Sequence, residues 1–118
     1  MPARRIDVAE GRAALAAVRD GSTARPQIAM AVRYLLQLLD EKAPGNSVEV
    51  RVPPYGAVQV VQGPRHTRGT PPNVVEMTAA TWIALATGEE AWADALADGR
   101  VQASGTRADL EALLPLRP

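Results

Sequence analysis

The chain has 118 residues, 47% of them apolar, and its thirteen basic side chains balance thirteen acidic ones. This length suits one domain spanning residues 1–118, and the apolar fraction excludes a disordered chain. The lack of cysteine excludes disulfides and thiolate chemistry, while the zero net charge and the four aromatic residues argue against nucleic-acid binding.

Residues 1–45 are predicted to be a helical N-terminal part. Asp7 and Glu10 have the spacing of a capping box, and an alanine-rich run continues to Asp20. A second helix is predicted over residues 26–42, with a proline in its first turn, where the missing N–H costs nothing. Its apolar residues recur with helical periodicity at Ile28, Val32, Leu35, Leu36 and Leu39.

Residues 47–118 begin with strands. Valine alternates with charged residues over 48–52, which is the pattern of a half-buried strand. A turn at 53–56 and a second strand over 57–61 predict an antiparallel hairpin. A polar loop over 63–72 then leads to a third strand over 74–77.

Two short helices follow the third strand. Thr78 is a suitable N-cap for the first, which carries Trp82 and ends at Gly88. The second follows two glutamates, which suit the positive end of a helix, and it carries Trp92 and ends at Gly99.

The last segment is predicted to form a strand over 100–104 and a final helix. Thr106 and Asp109 are expected to cap that helix, and Pro115 is expected to end it. Its apolar face would consist of Leu110, Leu113 and Leu114.

Several stretches resemble the sterol carrier protein family. Residues 81–88, 99–105 and the helix after them are similar to the C-terminal half of its domains, and residues 33–36, 44–50, 52–55 and 62–76 resemble its subfamily from high-GC Gram-positive bacteria. The resemblance implies an α+β fold with a small, mainly antiparallel or mixed sheet of four to five strands packed on helices. It also implies a non-catalytic carrier with an apolar tunnel for fatty acyl chains, acyl-CoA or other lipids.

The tunnel that this resemblance implies would lie between the sheet and the two tryptophan-bearing helices. Tryptophan offers a large apolar face to a ligand, although packing in an ordinary core is the alternative explanation. The side chains that we expect to contact the ligand are Trp82, Leu85, Trp92, Leu96, Val58 and Val60.

The loop over 63–72 holds Arg65, His66 and Arg68 beside glycines and prolines. Guanidinium groups bind carboxylate or phosphate bidentately, which would suit a lipid head group or the phosphates of CoA. The alternative is a stiff surface connection whose arginines pair with acidic side chains such as that of Glu76.

Catalysis is not expected. His66 is the only histidine, too few for a zinc site, and no serine has the sequence context of a nucleophile. We therefore predict neither a metal nor a cofactor. No apolar run is long enough to span a bilayer, and the absence of a signal-type stretch predicts a cytoplasmic location. The alternative function is an interaction or regulatory module with a closed tunnel. In that case Ile28, Val32 and Leu36 would contact a partner protein, or a second copy of the chain in a homodimer.

Overall fold

A computed structural model describes residues 5–63 and 73–118. Within them, two helices precede a four-stranded sheet, and two shorter helices lie between its last two strands, which confirms the predicted α+β class. The α-helices are α1 (Val8–Arg19), α2 (Arg25–Lys42), α3 (Ala79–Thr87) and α4 (Trp92–Ala97). The strands are β1 (Pro44–Val52), β2 (Gly56–Val60), β3 (Asn73–Met77) and β4 (Val101–Ser104).

The first two helices begin as predicted and pack against each other. The Asp7 side chain accepts hydrogen bonds from the backbone N–H groups of Ala9 and Glu10, at 3.1 and 3.3 Å. Gly11 lies directly against the ring of Tyr34, a side chain of α2 that is only 1% exposed. A Cβ atom at Gly11 would come within 2.3 Å of that ring, so the glycine sets how closely the two helices approach.

The sheet has the strand order β2-β1-β3-β4. β1 and β2 form the predicted antiparallel hairpin, β1 and β3 run parallel, and β3 and β4 run antiparallel. The alternation seen in the sequence therefore places one face of the sheet against the helices and leaves the other partly exposed. The buried face includes Val48, Val50, Val52, Val60, Val75, Met77 and Val101.

Helix α3 has the ends that the sequence predicts. The Thr78 side chain accepts a hydrogen bond from the backbone N–H of Thr81 at 3.3 Å. Gly88 follows the last turn with φ of +81°, in the left-handed region that favours glycine. The strongly buried face of α3 includes Trp82, Ile83, Leu85 and Ala86.

The predicted final helix is wrong. Only a single 3₁₀ turn, Glu111–Leu113, forms after β4. Leu114 is extended because the residue before a proline avoids the helical region, and this leaves too few residues for a stable helix. The Asp109 side chain also binds the backbone N–H of Glu111 at 2.8 Å, and the N–H of Arg107 binds Asn73.

Residues 110–118, here called the C-terminal strap, close one end of the core instead. The backbone N–H of Leu116 donates to the carbonyl oxygen of Ala86 at 2.8 Å, at the end of α3. Lys42, in the last turn of α2, donates to the carbonyl oxygen of Leu113 at 2.7 Å. Leu110 and Leu116 are 0% and 5% exposed, so the strap contributes side chains to the core.

None of the helices in residues 5–63 and 73–118 combines the length and the apolar character needed to cross a membrane.

Candidate functional site

The apolar layer between the sheet and the helices contains most of the predicted ligand-contacting residues. Trp82 and Leu85 on α3 and Val60 on β2 are 0%, 1% and 0% exposed. Trp92, on α4, belongs to the same cluster, and Val58 packs against it. These five side chains therefore share one core, and their contact with a ligand stays a prediction.

Of the four other predicted contacts, the structure describes only Leu96. Leu96 lies on α4 but is 43% exposed, so it faces away from the core. Arg65, His66 and Arg68 lie outside the described residues, and their proposed role in binding an anion stays a prediction.

The apolar stripe of α2 is used inside the molecule. Val32 and Leu36 are 0% and 4% exposed, and Ile28 packs against the same core. The interpretation of this stripe as a surface for a partner or a second copy is therefore wrong, because the sheet and α3 already cover it.

A groove of about 820 Å³, here called the end groove, opens where β1 and β3 end and α3 begins. Its volume lies in the range of small-molecule sites, roughly 300–1,000 Å³. Two of its wall residues, Met77 and Thr81, are only 4% and 6% exposed and belong to the buried interior. The groove is lined by Pro53, Glu76, Met77, Thr78, Ala80, Thr81, Glu90, Gly99, Arg100 and Gln102.

The charged wall of the end groove is dominated by carboxylates. Arg100 contacts Glu90 and also donates to Asp98 at 2.9 Å. The hydrogen bond from Arg100 lowers the pKa of the Glu90 carboxyl below its ordinary value. Glu76 lines the same groove without an ion pair in the part of the chain that the structure describes. Arg100, the one cation that the described residues contribute to this wall, is therefore already shared between two carboxylates.

A smaller cleft of about 430 Å³, here called the basic cleft, lies between the end of α2 and the C-terminal strap. It is lined by Leu38, Lys42, Leu116 and Arg117, so two cationic side chains lie beside two leucines, and no acidic residue of the described chain contributes to its lining. Leu38 is half-buried and Leu116 is 5% exposed, which makes the base of this cleft apolar.

The end groove and the basic cleft lie at opposite ends of the same core. Thr81, in the first turn of α3, lines the end groove, whereas Ala86, near the other end of α3, binds the strap residue Leu116. β1 likewise starts just after Lys42 and ends just before Pro53. A ligand lying along α3 would therefore have one of these openings at each of its ends.

Sequence reasoning missed the residues that form the two openings. Met77 and Thr81 were predicted only as strand and helix positions, and Arg117 carried no signal because the strap lacks periodicity. Lys42 stands out in the sequence as the only lysine, but its position beside the strap depends on the fold. Among the residues that the structure describes, no three histidine, cysteine, aspartate or glutamate side chains cluster as metal ligands do.

Comparison with known proteins identifies one family. A family model described as a bacterial SCP ortholog matches residues 24–116, more than three quarters of the chain. The search of curated proteins found no match to this sequence. The matched stretch begins just before α2 and ends within the C-terminal strap. It includes the whole sheet, the end groove, and Leu38, Lys42 and Leu116 of the basic cleft, but not Arg117.

Proposed function

The chain belongs to the bacterial sterol carrier protein family, and from that premise we propose that it is a non-catalytic carrier of an apolar ligand. The ligand would be a fatty acyl chain or another lipid, lodged between the sheet and helices α2 and α3. Its contacts would be the core residues Trp82, Leu85 and Val60, with Val58 and Trp92 at the periphery. A cytoplasmic location and head-group contacts from residues 65–68 stay predictions.

The observation that carries this proposal is that the end groove reaches the buried apolar layer. Met77 and Thr81 belong both to the groove wall and to the interior, so an alkyl chain that has passed the charged residues of the groove wall would contact buried side chains directly. The indole of Trp82 lies one residue further along α3, and its side chain is fully buried. Separation of α3 from the sheet at this end would extend the groove toward Trp82.

The energetics of such a site suit a carrier. Burying about twelve methylene groups gains roughly 10 kcal/mol, at about 0.8 kcal/mol each. Lost freedom of the ligand and ordering of its chain remove several kcal/mol, about half or more of that gain. Separating the packed core side chains to admit the ligand costs additional free energy. The remaining gain of about 5 kcal/mol or less corresponds to a Kd on the order of 0.1 mM or weaker, which permits release as well as capture.

The test uses the two tryptophans as reporters. Palmitic acid brominated along its chain should quench the fluorescence of Trp82, because bromine atoms between the sheet and α3 would lie close to the indole. Native mass spectrometry of the same sample should show the added mass of one ligand. If neither quenching nor an added mass appears at any ligand concentration below micelle formation, the proposal is wrong.

A matched pair of variants locates the ligand. Ala80→Phe places a large side chain in the wall of the end groove, whereas Ala93→Phe adds the same side chain at an exposed position of α4 outside that groove. We expect Ala80→Phe to weaken quenching by the brominated acid about tenfold and Ala93→Phe to leave it unchanged. Equal binding by the two variants would place the ligand elsewhere.

A further inference from the structure

We infer that the basic cleft holds the anionic head group of an amphiphilic ligand, with Lys42 and Arg117 as its contacts. The inference rests on the proposed function and adds two things to it: the chemical class of the head group and the end of the core at which it lies. The chemistry named is a carboxylate or a phosphate attached to an alkyl chain, since both groups accept charge-assisted hydrogen bonds from lysine and arginine.

The first argument is the difference in charge between the two openings. Of the charged residues that the structure describes, Glu76, Glu90 and Arg100 line the end groove, so two carboxylates face one cation there. Among residues 5–63 and 73–118, the basic cleft is lined by Lys42 and Arg117 and by no carboxylate. An anionic head group would be repelled by carboxylates at the first opening and attracted at the second, so the charges fix the direction in which an anionic ligand lies.

The second argument is that both cations of the basic cleft are available. The Lys42 ammonium donates to a neutral backbone carbonyl, that of Leu113, at 2.7 Å, and not to a carboxylate. Arg117 is exposed and forms no ion pair with any residue in 5–63 or 73–118. A ligand oxyanion would replace the carbonyl partner of Lys42 by a charged one, and charged hydrogen bonds are roughly twice as strong as neutral ones.

The partial negative charge at the C-terminus of α2 repels an anion only weakly. A helix C-terminus carries a partial negative charge of about half a unit, and its effect fades within the last turn. Lys42 occupies that last turn and compensates this charge. Arg117 then leaves the cleft with a net positive charge, so attraction of an anion is the larger of the two effects.

The third argument is the apolar path that leads inward from the cations. Leu38 and Leu116 line the cleft, and Leu116 is anchored to Ala86 at the end of α3. From there α3 extends for nine residues, about 13 Å at ~1.5 Å per residue, toward the end groove. The alkyl chain would follow α3 with its methyl end pointing to the end groove, whose wall includes Met77.

The experiment compares four ligands with one alkyl chain and different head groups: palmitic acid, hexadecyl phosphate, hexadecanol and hexadecylamine. Each displaces the brominated acid from the intact protein, and the recovery of tryptophan fluorescence gives its affinity. We expect the acid and the phosphate to bind about tenfold more tightly than the alcohol, and the amine to bind most weakly. Similar affinities for palmitic acid and hexadecyl phosphate would show that the protein recognises the negative charge alone. A higher affinity for one of them would show which of the two head groups the cleft favours.

The variant Lys42→Gln with Arg117→Gln removes both charges, while its glutamine at position 42 can still donate to the strap. It should lose the preference for the anionic ligands, because two exposed ion pairs account for the roughly tenfold difference between the acid and the alcohol. Its affinity for hexadecanol, which carries no charge, should stay within about twofold of that of the unmodified protein. Arg12→Gln is the control, because Arg12 is exposed on α1, outside both openings. Lys42→Arg, which keeps the charge, should retain the preference.

The outcomes separate the inference from the proposed function. Equal binding of all four ligands by the unmodified protein, or an anionic preference that persists in the double variant, overturns the inference and leaves the carrier function standing. Failure of all four ligands to bind overturns the carrier function and the inference with it. If the double variant does not fold, Arg117→Gln alone decides, since its side chain is exposed and should still account for about a threefold loss for the acid.

Discussion

The indole nitrogen of Trp82 donates a hydrogen bond to the main-chain carbonyl oxygen of Val32, at 3.3 Å, and so joins α3 to α2 across the core. Both residues are fully buried. Trp82→Phe removes this bond and part of the buried ring volume. We expect it to lower the free energy of unfolding by about 2 kcal/mol, measured by urea denaturation.

Trp92→Phe is the comparison for this variant. Trp92 is 6% exposed, and its indole makes no hydrogen bond within the described chain. Its replacement should therefore cost about 1 kcal/mol, from lost packing alone. If Trp92→Phe destabilises the protein more than Trp82→Phe does, the bond to Val32 is not a main link between the two helices.

Gly11→Ala should destabilise the protein although alanine favours helices. Helix propensity alone predicts a gain of about 1 kcal/mol. The added methyl would meet the Tyr34 ring at 2.3 Å, at the ring atoms nearest the backbone, which cannot move without shifting α2. Such overpacking costs roughly 1–3 kcal/mol, so we expect a net loss of about 1 kcal/mol in urea denaturation.

A double-mutant cycle checks the cause of that loss. In a Tyr34→Val background the smaller side chain leaves room for the methyl, and Gly11→Ala should then stabilise the protein, as propensity predicts. The same loss in both backgrounds would show that the contact between Gly11 and Tyr34 does not set the distance between α1 and α2.

Asn73 links three parts of the fold through one buried amide. Its side-chain nitrogen donates to the carbonyl oxygen of Ser47 at 2.8 Å, and its side-chain oxygen accepts from the backbone N–H of Arg107 at 2.9 Å. Asn73→Ala leaves both partners without this amide, so we expect a loss of about 2–3 kcal/mol in the free energy of unfolding.

Hydrogen exchange tests the role of Asn73 locally. The N–H of Arg107 should exchange faster in Asn73→Ala and remain protected in Asn73→Asp, whose carboxylate oxygen still accepts the bond. Gln102→Ala, at an exposed position of β4, is the control and should change neither stability nor exchange. Unchanged protection of Arg107 in Asn73→Ala would contradict this account.

Most of the fold could be predicted because its signals are local. The periodicity of apolar residues indicates α2. The caps Asp7 and Thr78 and the glycine Gly88 each mark the end of a helix within a few residues of chain. The final helix could not be predicted correctly, because capping residues and spaced leucines also suit the strap. There the deciding bonds come from distant residues, Asn73 to Arg107 and Lys42 to Leu113.

The candidate site was predicted only in its apolar part. Trp82 and Leu85 on α3 were expected to line a tunnel, with ordinary core packing as the alternative explanation. Both lie in the core, and their contact with a ligand stays a prediction. Leu96 was assigned to the same wall by helical spacing, but α4 has only six residues and turns that position to solvent. The charges of the two openings come from residues far apart in sequence, and no local pattern indicates them.

The ion pair between Glu90 and Arg100 should make stability depend on acid pH. Its hydrogen bond lowers the pKa of Glu90 in the folded protein below the ordinary value of about 4.3 in the unfolded chain. A carboxyl with a lowered folded pKa contributes stability above the unfolded pKa, and that contribution is lost as the pH falls through the folded pKa. We expect Glu90→Gln to be less stable than the unmodified protein at pH 7, and the difference between them to decrease as the pH falls below about 4.3 and to vanish once the pH has passed the lowered folded pKa. Thermal midpoints measured across this range provide the test, with Glu111→Gln as an exposed control outside this ion-pair network. A stability difference for Glu90→Gln that does not decrease at all as the pH falls below the unfolded pKa would show that the pairing with Arg100 is not its source.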